Sequence, residues 1–534
     1  MPFATQAASQ HGQPVNPKDA FYAMVPGPAA VEPPYPPLQP WQDLATNYLT
    51  DDFDTPKDEP DPEENLCVPA GYTYFGQMVD HDLTFDTTSS LDTPQRAEFS
   101  NKRTPRFDLD CVYGAGPDDA PYLYEDGVRL VAGNNDLPRA ANGRAIIGDP
   151  RNDENSIVCQ LQMAFLRYHN AVVDRIAMAT PGIKPKELFK TARNEVRWTY
   201  QRILVEDYLP RIIANTDLTA FDHLRGAADS VAKSTKAGGF SLYPAGSRSK
   251  IPLEFAAAAY RFGHSMVRNG YRLNANTKKH IFAPSGPDSL VGFGELPISH
   301  LIDWSLFFPD PDRRDPAKTP VLAHIQLRSE SVKAGSFDAT NTAFGRERLQ
   351  FAYKIDPILV DPLAHLPFSI AGVVGPLQSL GLRNLVRGRG FDLPSGQEVA
   401  TKAGLPALTK AELVVRSKDK VSNTQHMKAI PNEFTTNTPL WLYVLIEAQS
   451  NLASWAAGKV SFSEDDLVDD AAKTTTQLRG VGARIILETF QGLLDSDEES
   501  YRNSPEAINW KPLIKHDNGK PIFNMWNLVT CNLE

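Results

Sequence analysis

Between Glu154 and Ala177 apolar residues return every three or four positions without a break, and Ile157, Leu161, Ala164, Phe165, Tyr168 and Val172 trace one stripe. A stripe that long must lie against a core, so the chain is expected to be built from packed helices. Leu253 to Val267 repeats the pattern through Phe255, Ala258, Ala259, Phe262 and Met266. Thr438 and Pro439 read as an N-cap and first-turn proline for LWLYVLIEAQSNLA, and GARIILETFQGLL has the same helical look. Alternating strand patterns are scarce. The expected fold is mainly α, a single large helical domain with few short strands.

Ahead of these helices, residues 1–65 are rich in proline and acidic residues (VPGPAAVEPPYPPLQP, DTPKDEPDPEEN), which favours extended or turn backbone. They read as an N-terminal arm wrapping a main domain of residues 66–534. The small, polar stretch at 225–239 reads as a mobile loop. An apolar content of 41% is ample for a sizeable core. The net charge of −11, from 54 Lys and Arg against 65 Asp and Glu, lacks the basic excess that nucleic acid requires. No apolar run approaches the ~18 residues of a membrane span, so no transmembrane segment is expected. The N-terminus lacks the basic and apolar regions of a secretory signal, giving an expectation of a cytoplasmic protein, or one secreted without a recognisable signal peptide. Cys67, Cys111, Cys159 and Cys531 lie far apart without CxxC spacing, so neither a zinc site nor a disulfide framework is suggested.

Four segments could carry chemistry, and each has a bland reading beside the functional one. In GQMVDHDLTFD, His81 sits between Asp80 and Asp82, a few residues after Gln77. Such an imidazole can act as a base and proton shuttle, but an isolated DHD is more often a solvated acidic turn. In GDPRNDEN, Arg151 and Glu154 are three apart and able to face one cavity, while Asp149–Pro150 reads equally well as a helix cap. In AYRFGHSMVRNGY, His264 lies on an apolar helix, where a satisfied core histidine is the ordinary case. RNLVRGRGFDLP places Asn384 and Arg387 three apart in a basic stretch that could reach a carboxylate or propionate, and reads equally as a surface loop or an unspecific anion patch.

Taken in order along residues 66–510, these segments resemble the animal-type haem peroxidases of the peroxidase–cyclooxygenase superfamily, in a bacterial-type member without a signal peptide. The resemblance rests on Gln77-Met-Val-Asp80-His81-Asp82, on Gly148-Asp-Pro-Arg151-Asn-Asp-Glu154 with His169-Asn170 following, on Arg261-Phe-Gly-His264, and on Asn384-Leu-Val-Arg387-Gly-Arg389. It implies haem b with His264 as its axial ligand, oriented by Asn384, and with Arg261 and Arg387 near the propionates. It further implies His81 as distal base, Arg151 stabilising the negative charge of O–O cleavage, and Gln77 binding a distal water or halide. The activity implied is reduction of H2O2 with oxidation of a small donor (halide, thiocyanate, phenol or aromatic amine), a chemistry suited to oxidative stress. Asp80 and Glu154 match the family's ester-forming carboxylates, so haem is expected to be covalently attached. Asn155 stands where one branch has a methionine, and the sulfonium link is expected to be absent. RTPRFDLDCVYG resembles the family's calcium loop, with Ca2+ held by Thr104, the Arg106 carbonyl, Asp108 and Asp110, completed by Asp82.

The main alternative is a fatty-acid oxygenase on the same scaffold. That chemistry needs a tyrosine three residues before the axial histidine. Here the position is Arg261, and Tyr260 is expected about 100° away around a helix, which favours peroxidase. A non-catalytic adhesion relative is a second alternative, disfavoured by the intact set of His81, Arg151 and His264. A non-haem site with two histidines and a carboxylate is a third, disfavoured because His81 and Asp82 are adjacent rather than facing.

Overall fold

The computed structural model describes residues 21–25, 38–50, 61–85, 101–219, 241–244, 250–283, 288–310, 349–419, 422, 424–516 and 519–531. Among them run eight α-helices of eight or more residues: α1 (Gln39–Tyr48), α2 (Gly71–Leu83), α3 (Ser156–Ala179), α4 (Pro185–Ile203), α5 (Leu380–Gly390), α6 (Gly396–Ala403), α7 (Leu440–Ala448) and α8 (Gly480–Ser496). Among the described residues, and apart from isolated bridges, the strands form four two-stranded ribbons. These are β1 (Phe21–Tyr22) parallel to β3 (Ile251–Pro252), and the antiparallel pairs of β2 (Glu64–Pro69) with β6 (Phe351–Tyr353), β4 (Gly270–Asn274) with β5 (Thr277–His280), and β7 (Val414–Lys418) with β8 (Gln425–Ala429). The fold is mainly α, as the periodicity predicts.

The stripe on α3 is buried as expected, with Ile157, Leu161, Phe165, Tyr168 and Val172 all at 0% exposure. Its start differs. Asp149 does cap, accepting from the Arg151 N–H, but the turn it opens is a 3-10 turn, Pro150–Asp153. The chain then extends at Asn155, where the N–H groups of Gly292 and Phe293 reach the carbonyls of Glu154 and Asp153. The Asn155 side chain accepts from the Ile157 and Val158 N–H groups and starts α3 afresh. The bridge to 291–293 thus separates the 3-10 turn that carries Arg151 from the start of α3.

Two further helices are broken by tertiary contacts. Leu253–Val267 is a short helix, Leu253–Ala257, and a 3-10 helix, Ala259–Met266, hinged at Ala258 (φ −136°, ψ −74°). Arg261 Nε donates to the Ala256 carbonyl at 3.0 Å, and Trp441 Nε1 to that of Arg261 at 3.2 Å, which ties down both sides of the break. Thr438 is not the cap of α7. Its hydroxyl donates to the Phe434 carbonyl and its N–H to Gln397, leaving Pro439 at the helix start. At Gln449, whose side chain donates to the Val414 carbonyl, α7 gives way to a separate helix, Ser450–Ala456.

The N-terminal 65 residues are not all extended, since α1 lies within them and buries Leu44 and Ala45. Residues 1–20, 26–37 and 51–60 of this stretch, and the whole 225–239 segment, lie outside the described residues. A single large hydrophobic cluster takes in α2, α3, α4, α7 and α8, so the segments that carry the motifs share one core.

Candidate active site

Gln77, Asp80 and His81 stand three and four residues apart on α2 and face one cavity of about 240 Å³. Arg151 and Glu154 close the same side from the 3-10 turn before α3. Arg261 and His264 line it from the 3-10 helix Ala259–Met266, and Leu363, Leu366 and Ile370 add apolar wall. Segments nearly 200 residues apart in sequence therefore meet, as the ordered motifs require.

His81 is 5% exposed, and its Nδ1 lies 2.7 Å from Oδ1 of Asn152. An amide oxygen only accepts, so Nδ1 carries the proton and Nε2 keeps its lone pair. Burial, helped by the charge of Arg151, lowers the imidazole pKa to about 4, which leaves it neutral and able to take a proton near pH 7. Arg151 is held by Asp149 (Nη2 to Oδ2, 2.8 Å) and by the carbonyls of His81 (3.2 Å) and Thr84 (2.6 Å). Its guanidinium packs over the Phe85 ring at 4.5 Å. Asp149 itself is fully buried and held well below the usual carboxylate range, chiefly by Arg151 against the opposing effect of burial.

Gln77 donates to Glu154 Oε2 at 2.6 Å and accepts from Asn155 Nδ2 at 3.3 Å. Burial raises the Glu154 pKa against Arg151 and Gln77, which both lower it. Asp80 accepts from the Thr84 hydroxyl at 3.0 Å.

On the opposite segment, His264 Nδ1 lies 2.9 Å from the Asn384 amide of α5. The amide oxygen of Asn384 is buried with no other partner. Turned onto Nδ1, it accepts the Nδ1 proton and frees Nε2, which is the arrangement an iron ligand needs. Burial and the charges of Arg261 and Arg383 lower the His264 pKa to about 3, so the neutral, ligating form prevails. These donors suit haem iron. Arg387, one turn along α5, packs over the Phe391 ring at 5.8 Å and is not on the cavity wall, unlike Arg261.

Beneath the His81 end of α2, Asp82, Asp108 and Asp110 bring carboxylate oxygens within 4.8 Å of one another, all buried. Both Asp82 oxygens and Oδ1 of Asp110 lack hydrogen-bond partners. Thr104 joins them, its hydroxyl 2.9 Å from both Asp108 oxygens and its N–H 3.0 Å from Asp110 Oδ2. Leu109, between the two aspartates, adopts left-handed φ of 59°, a conformation costly for a branched side chain that aims both neighbours inward. Burial pushes Asp110 up to about 8, and burial with Asp108 and Asp110 pushes Asp82 well above its ordinary value. A hard cation would satisfy this oxygen set. The Arg106 side chain points to Asp497 at 3.5 Å.

Several residues at the site carry no motif signal. Asn152 and its partner Gln162 read in sequence as ordinary polar positions; only the packing of α2 on α3 shows them holding His81. Tyr208 lies in a π-helical turn, Leu204–Tyr208, that continues α4, and receives a 3.1 Å hydrogen bond from Tyr260. Tyr260 and Arg261 both line the cavity, so the expectation that Tyr260 turns away around an α-helix does not hold in the 3-10 geometry found. His169 bridges Tyr113 (3.0 Å) and the Val128 carbonyl (2.9 Å), a structural role away from the cavity.

Residues 90–289 match the family model of the animal haem peroxidases. Over that stretch, a little over a third of the chain, the sequence is similar to the animal haem peroxidases. Within that class its relatives divide. Peroxidase mlt-7 of Caenorhabditis elegans is 24% identical over 246 residues, 41% of this chain and 31% of that protein. Alpha-dioxygenase 1 of Capsicum annuum is 24% identical over 227 residues, 38% of this chain and 33% of that protein. The chain thus spans about a third of the length of each of these curated relatives. Peroxidase A of Dictyostelium discoideum shares the fold, with a TM-score of 0.51 at 15% identity, covering 96% of this chain and 95% of that one.

Proposed function

We propose that the protein is a haem peroxidase that reduces hydrogen peroxide and oxidises a small electron donor. The observation that carries the reading is the placing of two histidines on one cavity, each with its Nδ1 tied to an asparagine. His81, beside Arg151, has Nδ1 2.7 Å from Asn152 Oδ1, and His264 has Nδ1 2.9 Å from the Asn384 amide. His264 Nε2 would hold the iron, and Arg261 would meet a propionate. Bound haem would supply the redox-active iron that accepts the oxidising equivalents of the peroxide.

The chain's own residues move the protons. His81 Nε2 would take a proton from one oxygen of hydrogen peroxide and return it to the other, which leaves as water when the O–O bond breaks. Arg151, locked by Asp149 and two carbonyls, places fixed positive charge where negative charge develops. Gln77, held between Glu154 and Asn155, is set to hydrogen-bond a distal water or halide. Asp80 and Glu154, both on the cavity wall, are the candidates for ester links to haem. A calcium ion held by Asp82, Thr104, Asp108 and Asp110 would anchor the end of α2 and so the position of His81.

A Soret band that survives acid-acetone extraction would support covalent haem, and a protein that binds no haem would sink the reading. His81→Ala is expected to keep haem but slow the reaction with H2O2 by roughly 10²–10⁴-fold; unchanged stopped-flow kinetics would refute its role. One observation favours a fatty-acid dioxygenase as second reading: Tyr260 faces the cavity and is hydrogen-bonded to Tyr208. Oxygenated product from an unsaturated fatty acid without added H2O2 would select that alternative.

A further inference from the structure

Behind His81 lies a polar pair that does not reach the cavity. Nδ1 of His81 is 2.7 Å from Oδ1 of Asn152, and Nδ2 of Asn152 donates to Oε1 of Gln162 at 2.8 Å. Asn152 and Gln162 are both 0% exposed, and neither lines the cavity, so whatever they do to bound molecules they do through the imidazole.

A neutral imidazole carries one N–H, and its location decides which nitrogen is the base. With an amide oxygen on Nδ1, the proton is on Nδ1 and Nε2 is basic. If both amides were reversed, Gln162 Nε2 would donate to Asn152 Oδ1 and Asn152 Nδ2 would donate to Nδ1. The proton would then sit on Nε2, and the imidazole could no longer accept one from a molecule in the cavity. Each arrangement leaves one Gln162 group unpaired; in the observed one it is the buried Nε2. The amide pair thus has two states, matched one to one with the tautomers of His81.

We infer that Asn152, oriented by Gln162, is the positioning residue that fixes His81 in the Nδ1–H tautomer. The inference deepens the peroxidase reading and rests on it for its consequence in the reaction, but the tautomer is measurable without turnover. Asn152→Asp offers acceptors only. Gln162 can rotate to direct its unpartnered Nε2 at the new carboxylate, so this variant keeps the proton on Nδ1. Asn152→Leu has similar volume and no acceptor, and releases Nδ1.

The test is long-range ¹H–¹⁵N NMR of histidine-labelled holoprotein in its diamagnetic ferrous carbonyl form, with the His81 signal identified by its loss in His81→Gln. Wild type and Asn152→Asp should show the proton on Nδ1; Asn152→Leu should show it on Nε2 or exchanging. In parallel, the rate constant for H2O2 should fall roughly a hundredfold in Asn152→Leu and stay within about tenfold of wild type in Asn152→Asp. Should Asn152→Leu fail to fold, Gln162→Leu serves, since it leaves the Asn152 contact but frees the amide to reverse and should give mixed tautomers. A wild-type proton on Nε2, or an Nδ1–H signal unchanged in the leucine variants, overturns the inference. A tautomer that moves as described in a protein inert to H2O2 would uphold the inference and remove the peroxidase reading instead.

Discussion

Single atoms decide how tightly the cavity is built. A Cβ placed on Gly76 would lie 2.4 Å from the Tyr208 hydroxyl and 3.2 Å from the ring carbon that bears it. Gly76→Ala must therefore move Tyr208 and strain its hydrogen bond with Tyr260, at an expected cost of roughly 1–3 kcal/mol. In a Tyr208→Phe background the closest clash is gone and the cost should shrink. Denaturant unfolding of the four proteins in a double-mutant cycle checks this, and equal costs in both backgrounds would refute the contact. At this scale the sequence is most legible where chemistry restricts the residue type. His81, Arg151 and His264 stood out in motifs, whereas Asn152 and Tyr208 are residue types that serve anywhere on a helix. Their importance comes from what packs against them.

Between elements, buried charge does the joining. Asp82 at the end of α2 and Asp108 and Asp110 of the following segment crowd three carboxylates together, and a bound cation would turn that repulsion into a clasp. Chelation with EDTA is expected to lower the melting temperature by several degrees, with recovery on adding Ca2+ but not Na+; a melting curve indifferent to both would remove the cation from the proposal. Glu447 of α7 joins α8 by accepting from the Gly482 N–H at 3.2 Å. Burial pushes its pKa from 4.5 up to about 8. The folded state therefore holds that proton more tightly than the unfolded chain, and stability falls as pH rises from about 4.5 through 8. Glu447→Gln should flatten this slope, by roughly 1–3 kcal/mol between pH 5 and 8.5. Parallel pH profiles for the two proteins would assign the slope to other groups. The helix pattern foretold α3 and α8 but not the breaks at Ala258 and Gln449, because each break is made by a partner distant in sequence.

Across the whole molecule, the start of the described chain supports the segment bearing His264. The N–H groups of Met24 and Val25 donate to the two oxygens of Glu254 at 3.0 and 2.9 Å, and Glu254 is fully buried ten residues before His264. Removing residues 1–25 strips a buried carboxylate of two charge-assisted hydrogen bonds, an expected loss of roughly 2–5 kcal/mol. Calorimetry should show a lowered melting temperature, recovered in part when Glu254→Gln is added to the truncated chain. A truncated protein as stable as the full chain would show that this contact contributes nothing.

What the sequence determined by itself is the helical class, through apolar periodicity, and the composition of the cavity, through residues whose chemistry few others can supply. The tertiary structure alone decided the Nδ1 partners of His81 and His264, the placing of Tyr260 on the cavity wall and of Arg387 off it, and the convergence of the aspartates around Leu109. The reason is physical. Periodicity is a property of neighbours in the chain, whereas a tautomer or a broken helix is set by hydrogen-bond partners that only folding brings within 3 Å.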